Sequence, residues 1–168
     1  MQLKPPRLQP GGRIGVVSPS YWIEPERLQR AVGVFEGLGH ELVLGPSTRL
    51  KENKFAGSAA ERAADVMAMF EDDSIDAIVC ARGGYGGNRV LSLLDYDLIR
   101  ANPKIFVGFS DVTGFLSSMA QRSGLVTFHG PMLTTYGRET VSYNLEVFFR
   151  LLSGEDSIRI DSPGGCRA

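Results

Sequence analysis

The sequence lacks several features that would indicate a function at once. Its 168 residues carry 18 Lys and Arg against 19 Asp and Glu, a net charge of −1, which gives no electrostatic basis for binding nucleic acid or an anionic membrane. No apolar run approaches the roughly 20 residues of a membrane span, and residues 1–6 contain no signal-peptide core. The two cysteines, Cys80 and Cys166, suit neither a disulfide framework nor a metal site. We therefore expect a cytoplasmic protein with no nucleic-acid or membrane partner, no metal and no cofactor.

The chain does contain a regular alternation of apolar runs and helical periodicity. This pattern predicts one α/β domain over residues 1–155, built on a doubly wound parallel sheet. The predicted strands are 13–18, 41–44, 77–80, 105–109 and 126–128. Helices are predicted from Pro25, from a capping box at Ser58, at 90–94, after Ser110 and at 141–152. Periodicity stops at Ser153, and residues 156–168 resemble a linker.

Ser110 lies where the fourth predicted strand meets a helix, in the sequence Val107-Gly108-Phe109-Ser110-Asp111. Open α/β sheets place their chemistry at the carboxyl ends of the strands. The N–H groups of a helix N-terminus also favour developing negative charge. Ser110 is therefore a candidate nucleophile. The alternative is a helix-capping serine, since Ser and Asp are preferred N-cap residues.

A glycine-rich loop, residues 81–88, follows the third predicted strand: Ala81-Arg82-Gly83-Gly84-Tyr85-Gly86-Gly87-Asn88. Four glycines in five positions expose N–H groups and permit close approach of a ligand, which favours an anion or oxyanion cradle over a plain turn. The loop lacks both the third glycine of a dinucleotide fingerprint and the Gly-Lys-Ser/Thr of a phosphate loop. Nucleotide binding is therefore a weaker alternative. We expect a positive φ in this loop.

Polar residues end two further strands on the same sheet edge. Ser18 and Ser20 follow the first strand, where a simple strand stop and a substrate contact are both open interpretations. His129 ends the fifth strand and could meet Ser110 as a general base, although a lone histidine is more often structural.

Five motifs, in order, are similar to those of the LD-carboxypeptidase family, the muramoyltetrapeptide carboxypeptidases and the related microcin-immunity peptidases. They span about residues 13–152 and comprise Ile14-Gly15-Val16-Val17-Ser18-Pro19-Ser20, Ala81-Arg82-Gly83-Gly84-Tyr85-Gly86, Leu94-Asp95-Tyr96-Asp97, Val107-Gly108-Phe109-Ser110-Asp111 and Thr127-Phe128-His129-Gly130-Pro131. The resemblance implies a flavodoxin-like, three-layer fold with a mostly parallel five-stranded sheet.

The resemblance also implies a serine-type hydrolase acting in peptidoglycan recycling. Its substrate would be a murein tetrapeptide or a related peptide with a terminal D-residue, such as D-alanine, whose L,D-amide bond Ser110 would attack. The N–H groups of Asp111 and Gly84 would form the oxyanion hole. The predicted substrate contacts are Ser18, Ser20, Arg82, Gly83, Tyr85 and His129.

One departure from the family pattern limits this expectation. The family's catalytic Glu and His come from a C-terminal domain to which nothing in this sequence corresponds, and a serine without a base is a weak nucleophile. We therefore expect the chain alone to be inactive. Its open sheet edge, with Tyr85 and Met132 exposed, should favour a homo-oligomer. The alternatives are a microcin-type immunity peptidase and a non-catalytic module that binds a small anion or a peptide.

Overall fold

The computed structural model describes residues 2–136 and 142–155. Its sheet has five strands: β1 (Arg13–Val17), β2 (Glu41–Leu44), β3 (Ala77–Cys80), β4 (Ile105–Gly108) and β5 (Phe128–His129). All four strand pairings are parallel, in the order β2-β1-β3-β4-β5. This is the flavodoxin-like order, so the predicted fold is confirmed.

Six α-helices occur in the described residues: α1 (Pro25–Glu36), α2 (Ala59–Glu71), α3 (Tyr96–Ala101), α4 (Thr113–Arg122), α5 (Leu133–Tyr136) and α6 (Ser142–Leu152). The sheet separates two apolar clusters. Side chains of α2, α3 and α4 fill one cluster, and side chains of α1, α5 and α6 fill the other. The predicted three-layer arrangement is therefore present.

Local chemistry explains the start and the end of α2. The Ser58 hydroxyl accepts the Glu61 N–H at 3.2 Å while the Glu61 carboxylate accepts the Ser58 N–H at 2.8 Å, which is the predicted capping box. At the other end, the buried Lys104 ammonium donates to the carbonyls of Met69, at 3.0 Å, and Asp72. These carbonyls belong to the last turn of the helix, which a cation stabilises.

Short elements differ from the sequence expectation. Helix α3 was not predicted; it begins after Asp95, whose carboxylate accepts the N–H groups of Asp97 and Leu98. Helix α5 has only four residues, too few for a periodic pattern. Two 3₁₀ turns, Gly87–Arg89 and Leu91–Leu93, replace the helix predicted at 90–94.

Two boundaries also differ. Strand β5 pairs at Phe128–His129 instead of residues 126–128. Residue 141, the predicted start of the last helix, and the predicted linker 156–168 lie outside the described residues.

Candidate active site

Ser110 occupies a tight turn between β4 and α4. A 3₁₀ turn, Ser110–Val112, joins the two elements, and the φ of Ser110 is +60°, in the left-handed region. A Cβ added to Gly108 would lie 2.4 Å from Cγ1 of Val112, so the turn requires glycine there. The N-caps of the 3₁₀ turn and of α4 are Phe109 and Val112, and neither makes a side-chain capping bond. Ser110 is therefore not in the N-cap position that the capping alternative requires. Ser110 is exposed, and its backbone is strained.

The glycine-rich loop 81–88 passes directly against this turn. Gly84 and Gly86 have φ values of +149° and +90°, which confirms the expected positive φ. A Cβ at Gly84 would lie 2.4 Å from Cγ of Tyr21, so only glycine fits that position. A Cβ at Gly83 would lie 3.3 Å from Cβ of Ser110. The backbone of the loop therefore lies within contact distance of the Ser110 side chain.

The carboxylate of Asp111 connects the three loops that follow β1, β3 and β4. Its Oδ2 accepts a hydrogen bond from the Ser20 hydroxyl at 2.6 Å and another from the Gly87 N–H at 2.8 Å. Hydrogen bonds to an ionised acceptor are about twice as strong as neutral ones. Asp111 therefore fixes the position of the glycine loop relative to Ser110, its own neighbour in the chain.

Arg62, on α2, supports the same loops from beneath. This arginine is only 2% exposed, and its Nη1 donates to the carbonyls of Pro19, at 2.8 Å, and Gly86, at 3.1 Å. Its Nε donates to the carbonyl of Gly57 at 3.2 Å. Burial lowers the pKa of the Arg62 guanidinium, and the nearby Asp111 carboxylate opposes that shift. Nothing in the sequence distinguishes Arg62, whose position in α2 resembles that of any polar helical residue.

A cavity of about 450 Å³ opens beside Ser110. Its described wall consists of Arg27, Arg82, Gly83, Gly84, Phe109, Ser110, Met132, Thr134 and Thr135. Four of the predicted site residues, Arg82, Gly83, Gly84 and Ser110, therefore lie together. Arg27, Thr134 and Thr135 were not anticipated, because α1 and α5 carry no motif at these positions.

Other predicted residues occupy different places. Ser18 and Ser20 are completely buried beneath the loops. The Ser20 hydroxyl binds Asp111, whereas the Ser18 hydroxyl is buried without a hydrogen-bond partner in the described part of the chain. Tyr85 is 59% exposed, as expected, but Met132 is 5% exposed, so the expectation that Met132 is exposed was wrong. The Met132 side chain instead packs near Gly83, where a Cβ would lie 3.3 Å from its Cε.

His129 lies on a neighbouring groove. It lines a cavity of about 430 Å³ between β5 and α6, separate from the cavity wall that contains Ser110. The His129 and Phe109 rings meet edge to face at 6.3 Å between centroids. The imidazole is thus close to the β4–α4 turn without sharing the cavity of Ser110.

A second buried network lies below the β1 loop. The Ser18 N–H donates to the Ser47 hydroxyl at 2.8 Å, and the Ser47 hydroxyl and N–H both donate to Asp65. Burial raises the pKa of the Asp65 carboxyl, while the bonds from Ser47 lower it. This network anchors the end of β1 to α2.

The described ranges, 2–136 and 142–155, contain no group of three or more His, Cys, Asp and Glu side chains that could hold a metal ion. Within the same ranges, none of the helices combines the length and the apolar character needed to cross a membrane.

The sequence of this chain is similar to those of known proteins. Residues 14–130 match the family described as Peptidase_S66, LD-carboxypeptidase N-terminal domain. The putative carboxypeptidase SCO6489 of Streptomyces coelicolor is 40% identical over 167 residues, which cover 97% of this chain and 54% of that protein. A probable murein peptide carboxypeptidase of Bacillus subtilis is 42% identical over 135 residues, covering 80% of this chain and 42% of the relative.

The microcin C7 self-immunity protein MccF is similar in sequence and in structure. The Escherichia coli sequence is 33% identical over 153 residues, covering 88% of this chain and 44% of MccF. The structure of MccF in complex with aspartyl sulfamoyl adenosine matches with a TM-score of 0.89 at 32% identity, over 92% of this chain and 48% of MccF. The chain thus spans about half the length of the relatives that it matches.

Proposed function

Because this chain belongs to the LD-carboxypeptidase family, as its N-terminal domain, we propose that it carries the nucleophile of a serine carboxypeptidase that removes a terminal D-amino acid from a peptide. The observation that carries the proposal is the geometry of Ser110. Its φ is +60°, its side chain is exposed, and it shares a cavity wall with the glycine backbone of residues 83 and 84. A strained, exposed serine beside a glycine loop suits nucleophilic attack better than a structural role.

In the proposed reaction, Oγ of Ser110 attacks the carbonyl carbon of the last peptide bond. The resulting oxyanion is held by the N–H groups of Asp111 and Gly84, and each such donor is worth about 2.7–4 kcal/mol at the transition state. Collapse of this intermediate breaks the C–N bond and releases the D-amino acid, and water then hydrolyses the acyl-enzyme. A base takes the hydroxyl proton of Ser110 and gives it to the leaving nitrogen as the C–N bond breaks, and we assign this base to a Glu and His of the region of the relatives that this chain does not span.

The proposed substrate is a murein tetrapeptide that ends in D-alanine, and the proposed role is cytoplasmic peptidoglycan recycling. The name of the B. subtilis relative, a probable murein peptide carboxypeptidase, supports this choice. Similarity to MccF, solved with aspartyl sulfamoyl adenosine, favours a second candidate, cleavage of a microcin-type peptide antibiotic. Contacts of substrate with Ser18, Ser20, Tyr85 and His129, and self-association of the chain, stay predictions.

Covalent labelling tests the identity of the nucleophile. The chain is incubated with an alkyl fluorophosphonate, a reagent that reacts with nucleophilic serines, and is analysed by peptide mass spectrometry. We expect a phosphonylated Ser110 in the wild-type chain and in a Ser117→Ala control, which removes an exposed serine of α4. The Ser110→Ala variant should not react. Labelling that does not depend on Ser110 would favour the non-catalytic binding module.

Turnover tests the source of the base. The wild-type chain should release D-alanine from a tetrapeptide no faster than Ser110→Ala does, because the base that we propose belongs to the region of the relatives that this chain does not span. A clear Ser110-dependent rate would instead make His129 the leading candidate for the base.

A further inference from the structure

The peptide group that joins Gly83 to Gly84 carries one of the two N–H groups proposed for the oxyanion hole. Within the part of the chain that the structure describes, the Gly84 N–H donates no hydrogen bond, so it is available to a substrate. We infer that the side chains of Arg82 and Tyr21 fix this peptide group in the orientation that the oxyanion requires. The inference rests on the proposed role of Ser110 and adds two positioning residues to it.

Arg82 fixes the carbonyl end of the peptide group. Its Nε donates a hydrogen bond to the Gly83 carbonyl at 3.1 Å. The peptide bond is trans, and a trans peptide group points its carbonyl and its N–H in opposite directions. The bond from Arg82 therefore directs the Gly84 N–H to the edge of the peptide group opposite the guanidinium. Because the donor is a cation, it also polarises the peptide group and strengthens the hydrogen bond that this N–H can donate.

Tyr21 fixes the Cα end of the same peptide group. A Cβ added to Gly84 would lie 2.4 Å from Cγ of the Tyr21 ring and 2.7 and 2.8 Å from its two Cδ atoms, so Cα of Gly84 packs directly against the ring. The φ of Gly84 is +149°, a conformation that residues with side chains rarely adopt. Glycine is the residue type with the most alternative conformations open to it, and the ring excludes those that move Cα towards it.

The Tyr21 ring is itself held by its surroundings. Two backbone hydrogen bonds, one on each side of Tyr21, join residues 20–22 to residues 54–56. The ring meets the Phe55 ring edge to face, with the centroids 5.9 Å apart. The Arg82 guanidinium lies 5.6 Å from the centroid of the Tyr21 ring. The two proposed positioning residues therefore contact each other as well as the peptide group that they hold.

The small tolerances of an oxyanion hole explain why a glycine loop needs this support. A donor is effective when its nitrogen lies about 2.7–3.1 Å from the oxyanion, and a misplacement of about 1 Å can slow a reaction about 100-fold. The hydrogen bonds that hold the loop from beneath reach Gly86 and Gly87, which lie beyond the donor in the chain. Arg82 and Tyr21 contact the donor peptide group itself.

The rate of covalent labelling tests this positioning in the chain itself. Saturation kinetics with the alkyl fluorophosphonate, followed by intact-protein mass spectrometry, give the rate constant of phosphonylation and the reagent concentration at half-saturation. We expect Arg82→Met and Tyr21→Ala each to lower the rate constant at Ser110 by about 10- to 100-fold, with little change in half-saturation. Because the reagent carries no carboxylate, an arginine that only binds the charge of a substrate would leave the rate constant unchanged.

Matched variants separate the effects of the ring, the charge and the fold. Tyr21→Phe keeps the ring and should keep the rate constant that Tyr21→Ala loses, whereas Arg82→Lys keeps the charge without the planar donor and should restore part of the rate constant at most. Arg89→Met removes an exposed arginine from the turn that ends the loop and should change neither constant. If Arg82→Met or Tyr21→Ala does not fold, as judged by circular dichroism, Arg82→Lys or Tyr21→Leu decides for that position.

A second measurement distinguishes failure of this inference from failure of the proposed function. The nuclear magnetic resonance order parameter of the Gly84 N–H should be about 0.85 in the wild-type chain and in Tyr21→Phe, and below about 0.6 in Tyr21→Ala and Arg82→Met. If these values are found but Ser110 of the wild type is not labelled, the proposed function fails and the support of Gly84 stands. If Ser110 is labelled at the wild-type rate in folded Arg82→Met or Tyr21→Ala, or if the order parameter depends on neither side chain, the inference fails and the nucleophile stands.

Discussion

Replacing Ser110 by glycine should stabilise the fold relative to replacing it by alanine. The φ of +60° places residue 110 in the left-handed region, which costs an L-residue about 1–2 kcal/mol. Ser110→Ala keeps this cost and Ser110→Gly removes it, while both lose the hydroxyl. The greater conformational freedom of glycine in the unfolded chain reduces this stability advantage by about 0.4–1 kcal/mol. The net advantage of Ser110→Gly is about 1 kcal/mol, which corresponds to roughly 2–4 °C in Tm.

Ser117 provides a control at which the stability difference between the glycine and alanine variants should have the opposite sign. It is an exposed residue inside α4, where glycine costs about 1 kcal/mol relative to alanine. Urea denaturation of the four variants, followed by far-ultraviolet circular dichroism, gives both differences in the free energy of unfolding. Glycine should be less stable than alanine at position 117 only. If Ser110→Gly is also less stable than Ser110→Ala, the backbone of Ser110 is not strained, and the main structural argument for Ser110 as the nucleophile is lost.

Two further predictions concern the carboxylates around the site. Asp111→Asn should lower the free energy of unfolding by about 1–3 kcal/mol, because the bonds from Ser20 and Gly87 lose their ionised acceptor. Asp111→Ala should lower the free energy of unfolding further, and urea denaturation measures both variants. A stability equal to that of the wild type would show that Asp111 does not hold the loops together. For Asp65, burial raises the folded-state pKa, so the wild-type chain loses stability as the pH rises above the unfolded value near 4. Asp65→Asn should therefore gain stability relative to wild type as the pH rises from about 4 towards neutrality, and a difference that does not change with pH would refute the assignment.

The sheet and the candidate nucleophile could be predicted because their signals are local. The apolar runs of β3 and β4 are fully buried; four glycines in five positions follow β3, and a serine at the start of a helical pattern follows β4. Parallel strands place their carboxyl ends at one edge, so a strand assignment alone predicts that Gly83 and Ser110 are neighbours. The structure confirms that proximity.

The side chains that organise the site could not be predicted in the same way. Arg62 reaches Pro19 and Gly86, and Arg27 reaches Thr134, across sequence separations of 24 to 107 residues. Such contacts depend on how helices pack on the sheet, which a hydrophobic period does not specify. The helices α3 and α5 were missed for a related reason, since six and four residues are too few to establish a helical period.

Two parts of the candidate site have different sources: the contacts that hold its backbone, and the base that would accept the serine proton. Arg62 and Asp111, which hold the glycine loop against the β4–α4 turn, are both residues of this chain, as are their partners Pro19, Ser20 and Gly87. The N–H groups proposed as oxyanion donors therefore lie in a turn and a loop that contacts within this chain hold together. Proton transfer differs, because His129 lines another groove and the proposed base belongs to the region of the relatives beyond this chain. Under the proposed function, we therefore expect the chain on its own to bind the proposed peptide without cleaving it, because the backbone of the candidate site and the base come from different regions.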